Sequence, residues 1–162
     1  SLPGLMAMAD EITAWREPVK RGKRTFDDKE FAASLMQYCD AARAKGAQPI
    51  LLTPVCRRFF VGKDSLMYTH GEYPRTIRNL AAEESIPLCD LKSASRQLYL
   101  RLGEEETAKL FVRLQPGEHP DFPAGHDDKT HFNAYGAKII AGLVAEGLRQ
   151  LPCCNALFSD AS

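Results

Sequence analysis

Two short runs decide the fold: Pro49-Ile50-Leu51-Leu52-Thr53-Pro54 and Ile86-Pro87-Leu88-Cys89-Asp90. Each is apolar without alternation and too short for a helix, which is how a strand buried on both faces of a parallel sheet reads. Helical patterns surround them. Asp27-Asp28-Lys29-Glu30 sets an Asp N-cap with a Glu three residues on, so a helix starts there. Phe31, Leu35, Tyr38 and Ala42 form its apolar stripe and Gly46 its stop. A second helix is expected over residues 73–84, with Ile77, Leu80 and Ala81 inward, and two more over residues 93–102 and 105–114. A loop rich in Pro, Gly and His, residues 115–127, leads to a last helix over residues 133–151. Helices alternating with doubly buried strands predict an α/β chain with a parallel sheet. Such sheets normally have more than two strands, so this one reads as incomplete, its N-terminal strands missing. Its open edge would be covered by a second chain or by a missing N-terminal half.

At 162 residues the chain has the length of one domain. Residues 25–151 carry the α/β pattern, residues 1–24 form an atypical N-terminal segment, and residues 152–162 a tail. Lys plus Arg and Asp plus Glu are 21 each, which leaves no electrostatic footprint for a nucleic acid. No apolar run approaches the roughly 18 residues of a bilayer span, so no membrane partner is expected. The basic cluster Lys20, Arg21, Lys23 and Arg24 reads as a solvated linker. Cys39, Cys56, Cys89, Cys153 and Cys154 are odd in number and hold no CxxC pair. They read as reduced thiols, which weakly favours a reducing compartment, and residues 1–10 show no signal-peptide pattern.

The chemistry concentrates in His126-Asp127-Asp128-Lys129-Thr130-His131, just before the last helix. On a turn, a carboxylate three residues before a histidine can fold back, accept its ring N–H and leave the other nitrogen as a base. The plainer reading is an Asp cap beside a surface His, because the bare spacing is common. His126, Asp127 and His131 could also be read as a metal site, but zinc wants three or four converging ligands, and no metal or other cofactor is expected.

The longer string Asp128-Lys129-Thr130-His131-Phe132-Asn133-Ala134-Tyr135-Gly136-Ala137 resembles the C-terminal catalytic block of the SGNH (GDSL-like) hydrolases, in the branch of the rhamnogalacturonan acetylesterases. Upstream, the Ala44-Lys45-Gly46-Ala47 turn, Leu52-Thr53-Pro54-Val55 with Arg57 and Arg58, Thr69-His70-Gly71-Glu72-Tyr73-Pro74, Pro87-Leu88-Cys89-Asp90-Leu91 and Pro116-Gly117-Glu118-His119-Pro120 follow in the family's order. The resemblance covers residues 24–151. It implies a flavodoxin-like three-layer α/β/α fold and a serine esterase acting on an acylated carbohydrate or another small ester. His131 takes the part of the base, and Asp128 the part of the group that orients it.

Arg57, His70 and His119, on loops at the carboxyl ends of the strands or ahead of the catalytic block, are the expected substrate-binding residues. The family's Gly-Asp-Ser block and its two oxyanion-hole blocks are not found in these residues. Cys56, on the loop after the first strand, is a weak substitute nucleophile, and Ser93 and Ser95 open a helix and read as caps. The competing reading is a non-catalytic fragment or pseudo-hydrolase that keeps a glycan-facing scaffold.

Overall fold

The computed structural model describes residues 27–63 and 65–159; the segment of residues 1–24, with its basic cluster, lies outside them. Asp27 starts the first helix, α1 (Asp28–Ala44), by accepting the backbone N–H groups of Lys29 and Glu30. Strand β1 (Leu51–Leu52) follows, then α2 (Tyr73–Glu83), β2 (Leu88–Cys89) and α3 (Leu91–Ala108). The chain continues with β3 (Phe111–Leu114), β4 (His126–Phe132), α4 (Ala134–Arg149) and a 3-10 turn (Pro152–Leu157).

β1 and β2 pair in parallel, Leu51 beside Leu88 and Leu52 beside Cys89. Successive side chains of a strand leave opposite faces, so this register gives the two faces different covers. Leu51 and Leu88 turn into an apolar cluster with Phe31, Leu35, Met36 and Cys39 of α1 and Ile77, Leu80 and Ala81 of α2. Cys89 turns the other way, against α4, where a Cβ on Gly147 would run into its sulfur. Helices therefore lie on both faces of a parallel pair, the α/β/α layering that the two apolar runs predict. Among the described residues the parallel sheet has these two strands, and Leu52 is 40% exposed.

Three expectations are corrected. In α1 the buried position is Cys39, while Tyr38 is 52% exposed, so the stripe runs through Phe31, Ala32, Leu35, Met36 and Cys39. Two helical pieces do meet at Gly103, inside the break expected between residues 102 and 105, but the second is shorter than residues 105–114. α3 runs through Gly103, whose φ of 76° kinks it, and stops at Ala108; Phe111–Leu114 is a strand. Phe111 is 1% exposed and packs on Tyr99 and Phe132, and this burial holds the segment extended beneath the second core cluster. Its antiparallel partner is β4, so His126 and Asp127, expected in a loop, belong to a strand.

A polar network ties the ends of β1 and β2 together. The Asp90 carboxylate caps α3 through the Ser93 N–H and accepts the Thr53 hydroxyl at 2.7 Å and the Ser93 hydroxyl at 2.7 Å. Arg78 closes it with two N–H donors, each at 3.0 Å. Burial pushes the Asp90 pKa up, but the hydrogen bonds from Arg78, Ser93 and Thr53 outweigh it and hold the group at about 2, against an ordinary 3.8. A depressed carboxyl stabilises the fold above its unfolded pKa and loses that contribution as pH falls through the folded one. Asp90→Asn should therefore cost roughly 1–3 kcal/mol at neutral pH. It should also flatten the loss of stability between pH 3.8 and about 2. Urea denaturation at several pH values checks both; an unchanged acid limb would contradict the network.

Candidate active site

The antiparallel ladder of β3 and β4 is irregular where the chemistry sits. Phe111 pairs with Phe132 and Arg113 with Asp127, so the single residue Val112 faces four, Asp128 to His131. Such a bulge turns side chains away from the regular pleat, and bulges are common beside active sites. The turn that the sequence places at Asp128–His131 thus exists as a bulge inside a strand.

Asp128 organises this bulge with both carboxylate oxygens. Oδ1 accepts the backbone N–H of Thr130 at 2.6 Å and of His131 at 2.8 Å. Oδ2 lies 2.7 Å from His131 Nδ1 and 3.3 Å from His126 Nε2. Burial alone would push the Asp128 pKa up; the N–H groups of His131, Thr130 and His126 overcome it and hold the carboxyl far below its usual range. The charged carboxylate accepts and cannot donate, so His131 carries its proton on Nδ1. Its Nε2 is left as the basic nitrogen on a side chain 77% exposed, whereas the Asp128 side chain is only 13% exposed.

Arg58 fixes the bulge from the loop after β1. Its guanidinium, 4% exposed, donates to Asp127 Oδ1 at 2.7 Å and to the Asp128 carbonyl at 3.0 Å, and its backbone N–H donates to the Lys129 carbonyl at 3.0 Å. The ring of Phe111 lies beneath it at 5.5 Å. On the other side Asn133 caps α4 by accepting the Gly136 N–H, while its amide donates to the carbonyls of Lys109 and Phe111. Gly136 is obligatory for steric reasons, since a Cβ there would collide with the Leu110 carbonyl.

The expected substrate-binding residues are placed as follows. Arg57 is exposed on the loop after β1, one residue before the Arg58 that grips the bulge. His70, half-buried ahead of α2, has its Nδ1 3.1 Å from Lys92 Nζ. Burial, and then the charges of Lys92 and Arg57, push its pKa below the ordinary imidazole value. Lys92 is a donor only, so His70 accepts on Nδ1 and keeps its own N–H on Nε2. His119 lies 5.8 Å from the Phe122 ring, which in turn stacks on His126 at 4.5 Å, so contacts run from His119 through Phe122 and His126 to Asp128.

Cys56 is 2% exposed, and burial raises its thiol pKa against the pull of Lys92, so it is a packing residue. Ser95 is buried and binds the Leu91 carbonyl and the Cys56 N–H. Among the described residues no three His, Cys, Asp or Glu side chains converge as a metal site, and no helix is long and apolar enough to cross a membrane. A groove of about 270 Å³ runs along Arg113, Gln115, Gly125, His126 and Asp127. Another of about 280 Å³, between α1 and α2, is lined by Ala32, Thr76, Asn79 and Leu80.

Sequence reasoning did not single out Arg58 and Lys92 as parts of the site, and it weighed His126 as a metal ligand rather than as a partner of Asp128. Arg57 and Arg58 are adjacent and alike, and only the fold shows which one is buried.

No family model matches the chain. It is 44% identical over 156 residues to rhamnogalacturonan acetylesterase RhgT of Bacillus subtilis (strain 168), covering 91% of this chain and 66% of that protein. It is 35% identical over 117 residues to the probable rhamnogalacturonan acetylesterase YesY of the same organism, covering 72% of this chain and 49% of that one. The crystal structure of protein YxiM from Bacillus subtilis matches with a TM-score of 0.60 and 28% identity, over 76% of this chain and 32% of the other. The chain thus spans about two thirds or less of each of these relatives.

The helix-covered parallel pair and the likeness to YxiM define an α/β fold of the SGNH hydrolase type. Within that class, the chain belongs to the branch of the rhamnogalacturonan acetylesterases.

The hold of Arg58 on the bulge can be tested apart from any activity. Arg58→Met keeps the apolar stem over Phe111 and removes the donors to Asp127 and Asp128. Asp127 is half-exposed and keeps Arg113 at 3.3 Å, so the expected loss is roughly 1–3 kcal/mol in urea denaturation. Unchanged stability would show that Arg58 does not hold the bulge.

Proposed function

We propose that this chain supplies the acid–base half of an SGNH-type serine esterase that removes acetyl groups from a pectin-type carbohydrate. The observation that carries the reading is the 2.7 Å bond from His131 Nδ1 to Asp128 Oδ2, with Nε2 left on an exposed ring face. The curated relatives are named as rhamnogalacturonan acetylesterases, which supports the choice of substrate.

In this reading the nucleophile is a serine outside these 162 residues. His131 Nε2 takes the serine proton as the oxygen attacks the acetyl carbonyl carbon, and Asp128 stabilises the imidazolium that forms. As the tetrahedral intermediate collapses, the C–O bond to the sugar breaks and His131 returns the proton to the departing hydroxyl. Water then repeats the sequence on the acetyl-serine and releases acetate. Arg57, with His70 as an Nε2–H donor, and His119 beside Phe122 offer hydrogen bonds and ring faces to a hydroxyl-rich substrate. No step calls for a cofactor.

The absence of a Gly-Asp-Ser block favours one second reading, a glycan-facing scaffold without catalysis. The two separate in a chimera that joins this chain to the part of RhgT it does not match. Acetate release from acetylated rhamnogalacturonan should fall by about 10³-fold or more in His131→Asn, with KM little changed. Full activity in that variant would remove His131 from the reaction. A chimera that binds the polymer and releases no acetate would favour the scaffold.

A further inference from the structure

We propose that His126 is a positioning residue for the Asp128–His131 pair, holding the shared oxygen Oδ2 through its own Nε2–H. The inference rests on the reading of His131 as the base. Oδ1 is occupied by the backbone N–H groups of Thr130 and His131, so Oδ2 is the oxygen left to serve His131. That oxygen also lies 3.3 Å from His126 Nε2. A charged carboxylate offers no proton, so this contact puts an N–H on His126 Nε2.

The His126 ring is fixed before the contact is made. The backbone of His126 pairs with Leu114 in the β3–β4 ladder, and its ring stacks on Phe122 with centroids 4.5 Å apart and an interplanar angle of 29°. Phe122 is held by its N–H to the His119 carbonyl at 3.0 Å, while its own carbonyl accepts the Gly125 N–H at 2.9 Å. Gly125 turns the chain into β4 at a φ of +82°, where a Cβ would press on the Leu114 carbonyl at 2.6 Å. The stack and these turn bonds thus place His126 against Asp128.

The second donor has two effects. It restrains the carboxylate as His131 gains and loses its proton, and it draws off part of the negative charge that stabilises the His131 imidazolium. The other charged groups around it are engaged elsewhere. Asp127 is paired with Arg58 and Arg113, Lys129 lies over Phe59, and His119 stands beyond Phe122. Deleting the His126 donor should therefore make His131 more basic.

The test is an NMR titration of the His131 ring in the whole chain, with two variants. His126→Phe keeps a ring for the stack on Phe122 and loses the donor; His126→Gln restores a side-chain N–H. The proposal expects the His131 midpoint to rise by ~0.5 pH unit in the Phe variant and to return in the Gln variant. An unchanged midpoint in His126→Phe would overturn it, as would a rise that His126→Gln fails to reverse. The readout needs no turnover. If His131→Asn leaves acetate release intact, the base reading falls while the titration still decides the role of His126.

Discussion

One carboxylate collects four N–H groups, and both the site and its local backbone depend on it. In the β3–β4 ladder one residue faces four, which takes the Thr130 and His131 amides out of regular strand pairing. Asp128 Oδ1 receives both. Its other oxygen receives the imidazole whose orientation the chemistry requires. The interaction that closes the bulge is the one that chooses the tautomer of His131, so the geometry of the pair is built into the fold rather than left to a surface rotamer.

The surroundings pin that carboxylate from several elements at once. Arg58 reaches over from the loop after β1, Phe111 and Phe132 pack at 4.9 Å beneath the hairpin, and Asn133 locks the start of α4 onto the carbonyls of Lys109 and Phe111. The close approach of α4 to Leu110 requires Gly136. The parallel pair contributes at one remove, because the Thr53–Asp90–Arg78 network fixes where β1 ends and so where the loop bearing Arg57 and Arg58 begins.

The parallel pair and the capped α1 were legible because each is encoded locally: unalternating apolar runs beside prolines, and an Asp before a helix. The β3–β4 hairpin was not. Phe111-Val112-Arg113-Leu114 continues a helical pattern and is extended only because Phe111 is drawn into the core beside Tyr99. β4 is too polar to read as a strand, and its bulge destroys what alternation it has. In the site, the Asp128–His131 pair could be named from the longer string around it, since its spacing alone is common. The second imidazole on Oδ2 and the burial of Arg58 arise from contacts between residues far apart in sequence, which a single sequence does not display.

The central claim is that Asp128 sets the tautomer of His131 and leaves Nε2 as the base. Nitrogen-15 NMR of the two ring nitrogens of His131 at neutral pH tests this most directly. The account predicts that the neutral ring carries its proton on Nδ1, with Nε2 titrating, and that Asp128→Asn abolishes this preference. A neutral ring protonated on Nε2 in the unaltered chain would contradict it.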